Sequence, residues 1–174
     1  MMIRTSKEVA VIGLTVALLI AGQFVLSGVK GVEIVTVIFL TFCYCFGAKM
    51  GLLTATAYSI LRCVFFGFFP TVIILYLVYY NLFAIVIGLL RGGLNKTGTV
   101  FRLIALSVTA AVLTIFFTLL DTVITPFYFG YTAEATKAYF YASVPVLVSQ
   151  VVCAIVTVLV MFIPLEKVFR AVKL

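Results

Sequence analysis

The feature that most narrows what this chain can fold into is a succession of six apolar runs with almost no charge inside them. They cover about Val9–Leu26, Val32–Ala48, Met50–Phe66, Thr71–Leu90, Leu103–Thr125 and Val144–Ile163. A helix needs about 20 such residues to cross a bilayer, and the second and third runs lie nearest the lower limit. Six crossings use about 120 of the 174 residues and leave about 54 for ends and loops. The expectation is an all-α integral membrane protein: a single domain over residues 1–174, folded as a compact bundle of six transmembrane helices. Composition agrees. With 66% hydrophobic and 10% charged residues, the chain lies far from the about 45–50% and about 25% of soluble domains. No room is left for a separate nucleotide-hydrolysing or nucleic-acid-binding domain.

The breaks between runs carry their own signals. Arg4 and Lys7 precede the first run as they would precede a signal peptide, but this run exceeds the usual core of about 7–15 residues. Gly22-Gln23 offers no clear cleavage site, so a retained helix is expected. Gly47 and Gly51 flank Lys49 as a tight turn, and Pro70 suits the first turn of a helix. Residues 91–98 form a polar loop, and Pro126 to Lys137 is the longest non-apolar stretch. Pro145 stands near the start of the last span and Pro164 at its end.

The net charge of +7 reads as topology rather than as attraction to nucleic acid. With the N- and C-termini cytoplasmic, six spans put Arg4, Lys7, Lys49, Arg91, Lys96, Arg102, Lys167, Arg170 and Lys173 inside. Only Lys30, Arg62 and Lys137 fall on the outer half, the asymmetry of the positive-inside rule. Glu33, Asp121 and Glu134 also lie on the outer half, whereas Glu8 and Glu166 accompany the inner basic flanks.

Nothing in the sequence favours catalysis. Without histidine there is no conventional serine triad and no histidine-ligated metal. Arg91-Gly92-Gly93 lacks the lysine and hydroxyl residue of a phosphate-binding loop. Cys43, Cys45, Cys63 and Cys153 all lie in apolar runs and read as small packing residues. An enzyme is not expected, nor a metal site or a cofactor.

Polar residues inside apolar runs are costly unless partnered or facing a cavity, and they mark the candidate site. In the fifth run Ser107, Ala111, Thr114, Thr118, Asp121 and Thr125 recur every three or four residues. The threonines can bond their own helix carbonyls; Asp121 cannot. Tyr139, Ser143, Val146, Gln150, Cys153 and Thr157 repeat the pattern in the sixth, where Gln150 is the only amide. Tyr76 and Tyr80 share a face of the fourth run beside Tyr79 and Asn81, and Arg62 is the one cation deep in the third. Arg62 and Asp121 either pair across the bundle or contact a ligand. Tyr128 and Tyr131 read as interfacial anchors or as pocket residues. In the first run Gly13, Ala17 and Ala21 form a small-residue stripe, fit for close packing inside the bundle or for docking another membrane protein.

Taken together, the six short helices, the basic face, the small stripe and the outward polar residues resemble an S-component. S-components are the substrate-binding membrane subunits of energy-coupling factor (ECF) vitamin transporters of prokaryotic plasma membranes. The resemblance covers the whole chain, and Gly13-xxx-Ala17-xxx-Ala21 is similar to the family's alanine-xxx-alanine docking pattern, with glycine in first place. It implies that helices 1–3 contact a scaffold transmembrane subunit served by two cytoplasmic ATPases. It also implies that the loop Ser27 to Val32 is a lid, and that helices 4–6 hold substrate through Tyr76, Tyr80, Asn81, Asp121, Tyr128, Tyr139 and Gln150, with Arg62 nearby. The nickel and cobalt members carry an N-terminal Met-His and the thiamine members lean on tryptophan; this chain has neither. The expected substrate is a small heterocyclic vitamin, nucleobase or precursor, with an anionic vitamin such as pantothenate left open by Arg62 and Lys137. The rival readings are a stand-alone secondary transporter working as a homo-oligomer, and a ligand-free assembly subunit.

Overall fold

The computed structural model describes residues 6–29 and 31–172, so Arg4, Lys30 and Lys173 of the charge pattern lie outside the described residues. Six helices follow one another: α1 Ser6–Leu26, α2 Val35–Phe46, α3 Ala48–Phe66, α4 Pro70–Leu94, α5 Thr99–Phe129 and α6 Ala133–Val172. Among the described residues there is no strand. Four of the helices, α1, α4, α5 and α6, are long and apolar enough to cross a membrane.

The second run departs from expectation. Its helix has 12 residues and rises about 18 Å, well short of the about 30 Å of a bilayer core. Every residue from Val35 to Cys45 is buried, the condition of a helix that is apolar all round and enclosed by protein. The other five helices all touch α2, and α1, α3, α4, α5 and α6 pack in that order around it. Edge-to-face rings fix two sides: Phe39 lies 5.3 Å from Tyr80, and Tyr44 lies 5.3 Å from Phe162.

The other boundaries differ in detail. The turn between α2 and α3 is Gly47 alone, at φ +87°, and Lys49 and Gly51 already belong to α3. The polar loop shrinks to residues 95–98 because α4 continues through Leu94. The stretch after Pro126 is mostly helical: α5 runs through Pro126 to Phe129, and Gly130 at φ +64° lets Tyr131 N–H bond the Pro126 carbonyl at 2.9 Å. Thr132 then accepts the Ala135 N–H at 3.3 Å, starting α6. Pro145 and Pro164 sit within that 40-residue helix rather than at its limits.

Helices α5 and α6 present apolar faces to the outside. On α5 the exposed residues include Val100, Ile104, Val108, Val112, Ile115, Leu119 and Val123, while Ser107, Thr114, Thr118 and Thr122 are buried. On α6 the exposed stripe is Val144, Val148, Val152, Val156 and Val160. At one end of the bundle lie Arg91, beside Gly47, and the pairs Arg102–Glu166 (3.1 Å) and Arg170–Glu166 (2.7 Å). The connection 27–34 closes the other end.

Small residues set the α3–α4 crossing. A Cβ on Gly51 would lie 2.9 Å from that of Ala84, and one on Gly88 would overlap the Ala48 backbone. Gly13 has nothing within 4 Å of the same position. Gly88→Ala should therefore cost about 1–3 kcal/mol, the usual range for overpacking. Gly13→Ala should stay within about 0.5 kcal/mol. Thermal unfolding of the purified variants separates the two; equal midpoints would mean that α3 and α4 do not cross through Gly88.

Candidate functional site

The cavity occupies the end of the bundle where α2 stops short. Its volume is about 190 Å³, and all six helices line it: Gly22, Gln23 and Leu26 of α1, Val35 and Thr36 of α2, Tyr58 of α3, Tyr76, Tyr79 and Tyr80 of α4, Thr114 and Phe117 of α5, and Gln150 of α6. The connection adds Ser27, Val29, Gly31, Val32 and Glu33. Tyr76, Tyr79 and Tyr80 stand at i, i+3 and i+4, one face of a helix. Their rings pack at 5.2 Å (Tyr76–Tyr80) and 5.0 Å (Tyr79–Tyr80), with Tyr58 5.1 Å from Tyr80 and Phe117 4.8 Å from Tyr79.

Gln23 organises the polar side of this wall. Its Oε1 accepts from Tyr58 Oη at 2.6 Å and from Arg62 Nε at 3.1 Å, and its Nε2 donates to Tyr76 Oη at 3.1 Å. The Arg62 guanidinium lies 4.3 Å from the Tyr76 ring centre and 4.9 Å from that of Phe66. Arg62 is thus held behind the wall and does not line the cavity.

The 27–34 connection is fastened to α6. Gly31, at φ +81°, comes so close that a Cβ would meet the Ser149 Cβ at 2.6 Å. The Glu33 N–H donates to Cys153 Sγ at 3.4 Å, and the Cys153 S–H donates to the Glu33 carbonyl at 3.3 Å. Thr36 Oγ1 donates to Glu33 Oε1 at 2.7 Å. Burial pushes the Glu33 pKa above the ordinary carboxyl value, and the Thr36 hydrogen bond opposes that rise.

A second cavity of about 280 Å³ lies between α5 and α6, lined by Thr118, Asp121, Tyr139, Ser143 and Val146 among others, and sharing Phe117 and Gln150 with the first. Asp121 accepts from Thr125 Oγ1 at 2.7 Å and from Tyr139 Oη at 2.6 Å. On the outside of α1 and α3, Gly13, Ala17 and Ala21 line a groove of about 500 Å³ with Val16, Ile20, Phe24, Leu61 and Phe65.

The structure redistributes the expected site residues accordingly. Tyr76, Tyr80 and Gln150 meet in the main cavity. Asp121 and Tyr139 belong to the neighbouring one, and Arg62 and Asp121 do not pair, because each has found partners close to its own helix. Asn81 turns away, donating to the Leu77 carbonyl at 2.7 Å and accepting from Thr56 at 3.3 Å. Tyr128 is 52% exposed and lines neither cavity. Gly13, Ala17 and Ala21 are exposed and do not serve packing within the bundle. Sequence reasoning left Gln23, Glu33 and Tyr58 out of the site and named Tyr79 only as standing beside Tyr76 and Tyr80. Tyr79 was legible as the i+3 neighbour of Tyr76, and Gln23 as the only amide of its run. Among the described residues no cluster of three His, Cys, Asp or Glu side chains could hold a metal ion. Compared with protein-family models, curated proteins and solved structures, the chain matches none.

The seating of the connection is testable through its sulfur anchor. Gly31→Val should lift the segment from α6 and raise the alkylation rate of Cys153 severalfold, read by mass spectrometry of the labelled peptide. An unchanged rate would mean that the segment does not depend on the Gly31–Ser149 contact.

Proposed function

We propose that this chain is the substrate-binding membrane subunit of an ECF-type importer, taking up a vitamin or a related small heterocyclic molecule. The observation that carries the reading is the cavity itself: walled by all six helices, faced with tyrosine rings and amides, and roofed by a single connection held to α6. Rings of that kind stack on flat ligands, and amides read ring donors and acceptors. The chain binds and catalyses no reaction.

The remaining features divide the labour of such an importer. With the basic end in the cytoplasm, as the positive-inside rule asks, the cavity faces outward in a multi-pass plasma-membrane protein of a prokaryote. The loop from Ser27 to Val32 is then the lid. The apolar groove at Gly13, Ala17 and Ala21 lets a scaffold transmembrane subunit approach α1 closely. Two cytoplasmic ATPases acting through that scaffold supply the energy.

Small molecules released from the purified, detergent-extracted protein should include one vitamin-sized compound in near-stoichiometric amount, identified by mass spectrometry. Gln150→Ala should weaken its rebinding by about 3- to 10-fold, the worth of one hydrogen bond. Ala17→Leu should leave binding intact and abolish uptake by cells carrying the ATPases. A cavity empty after growth in rich medium, or ion-driven accumulation by the chain alone in liposomes, would overturn the proposal.

A further inference from the structure

Among the described residues that line the main cavity, Glu33 is the only one carrying a charged side chain. Its backbone is clamped on both sides by Cys153, at 3.4 and 3.3 Å, so the carboxyl group is held at the cavity wall and cannot swing away with a loose loop. One oxygen is engaged by Thr36 at 2.7 Å. Among the described residues no lysine or arginine is seen in an ion pair with it, and Arg102 and Arg170 pair instead with Glu166 at the far end of the bundle. Arg62, the nearest obvious candidate, is committed to Gln23 at 3.1 Å and stacked on Tyr76 outside the lining.

Resting on the reading of this cavity as a ligand site, we infer that its ligand is an organic cation, with a protonated nitrogen set against Glu33 and a flat face against the tyrosine wall. A half-buried carboxylate with no counter-charge among the described residues is costly, and a cationic nitrogen relieves that cost through a charge-assisted hydrogen bond. The tyrosine faces add to the attraction, since aromatic rings draw cations to their negative faces. The raised pKa of Glu33 agrees, because a charged partner is what its ionised form lacks. An anionic ligand would instead face like charge at close range. This narrows the substrate away from anionic vitamins, since Arg62 is engaged by Gln23 and Tyr76 outside the cavity lining.

Three ring probes of one shape and different charge test the inference on the full-length purified protein: benzamidine as the cation, benzamide as the neutral form and benzoate as the anion. At neutral pH benzamidine should bind at least about tenfold more tightly than benzamide, as judged by calorimetry or ligand-observed NMR. Glu33→Gln should erase that preference, and Glu33→Asp, which keeps the charge, should retain part of it. Equal binding of benzamidine and benzamide to the wild type, or preference for benzoate, overturns the inference whether or not Glu33→Gln folds. A preference for benzamidine that survives in Glu33→Gln does the same. If a molecule co-purifies and proves neutral or anionic, the charge assignment fails while the ligand site stands. If none of the probes binds and nothing co-purifies, the ligand-site reading fails first.

Discussion

The arrangement depends on the burial of α2. Val35 to Cys45 are buried on every side, so α2 sits at the centre of the bundle and every other helix packs against it. Its neighbours run from 19 to 40 residues. A central helix shorter than its surroundings leaves a space above its end, floored here by Val35 and Thr36. The cavity is therefore the unfilled length of α2. The 27–34 segment has to roof it, since the same segment joins α1 to the start of α2.

That geometry gives α1 two jobs on opposite faces. Ala21 lines the outer groove and Gln23 the inner cavity, two residues apart and so about 200° round the helix. Gln23 binds Tyr58 of α3 and Tyr76 of α4 at once and holds Arg62 in place. A displacement of α1 by anything seated in the groove would thus be felt by the tyrosine wall through one side chain. The α3–α4 crossing is tight at Gly51 and Gly88, so those helices would move together.

Much of the fold was legible, because apolar runs and the glycine and proline breaks between them report helices directly. The length of α2 was not. Ile34 and Gly47 end it, but an apolar run continues across both ends, and hydropathy does not register a turn made by one glycine. In the site, Tyr76 and Tyr80 were readable from their spacing, whereas Asn81 was wrongly grouped with them. Adjacent residues on a helix point about 100° apart, and that rotation turns Asn81 toward Thr56 of α3. Pairing Arg62 with Asp121 failed for a different reason. Two isolated charges in a sequence look like natural partners, yet Asp121 is satisfied by Thr125 one turn away and by Tyr139 just past the α5–α6 turn. Neutral donors that close were invisible to a search for opposite charge. Glu33 was placed on the outer half but not among the site residues, because it stands at the start of the second apolar run with no polar stripe around it.

The distribution of polarity in α5 bears on why the hydrophobic fraction is so high. Its buried face carries Ser107, Thr114, Thr118 and Thr122, and its exposed face is apolar, with valine, isoleucine and leucine along its length and Phe101, Phe127, Tyr128 and Phe129 toward its ends. Thr114 bonds the Ala110 carbonyl at 2.9 Å and Thr122 the Leu119 carbonyl at 2.8 Å, so these two threonines satisfy their hydroxyls on their own helix and leave a slim, close-packing face. The excess apolar residues therefore lie on the outside and not in a larger core. Lipid tails tolerate such a surface and water does not. In a bilayer, where packing rather than water holds helices together, small and hydroxyl side chains at the seams would do the work that large apolar ones do in a soluble bundle. Inside the bundle, Tyr80, Phe83 and Phe162 pack against α2, and Tyr76, Tyr79 and Tyr80 line the space above its end.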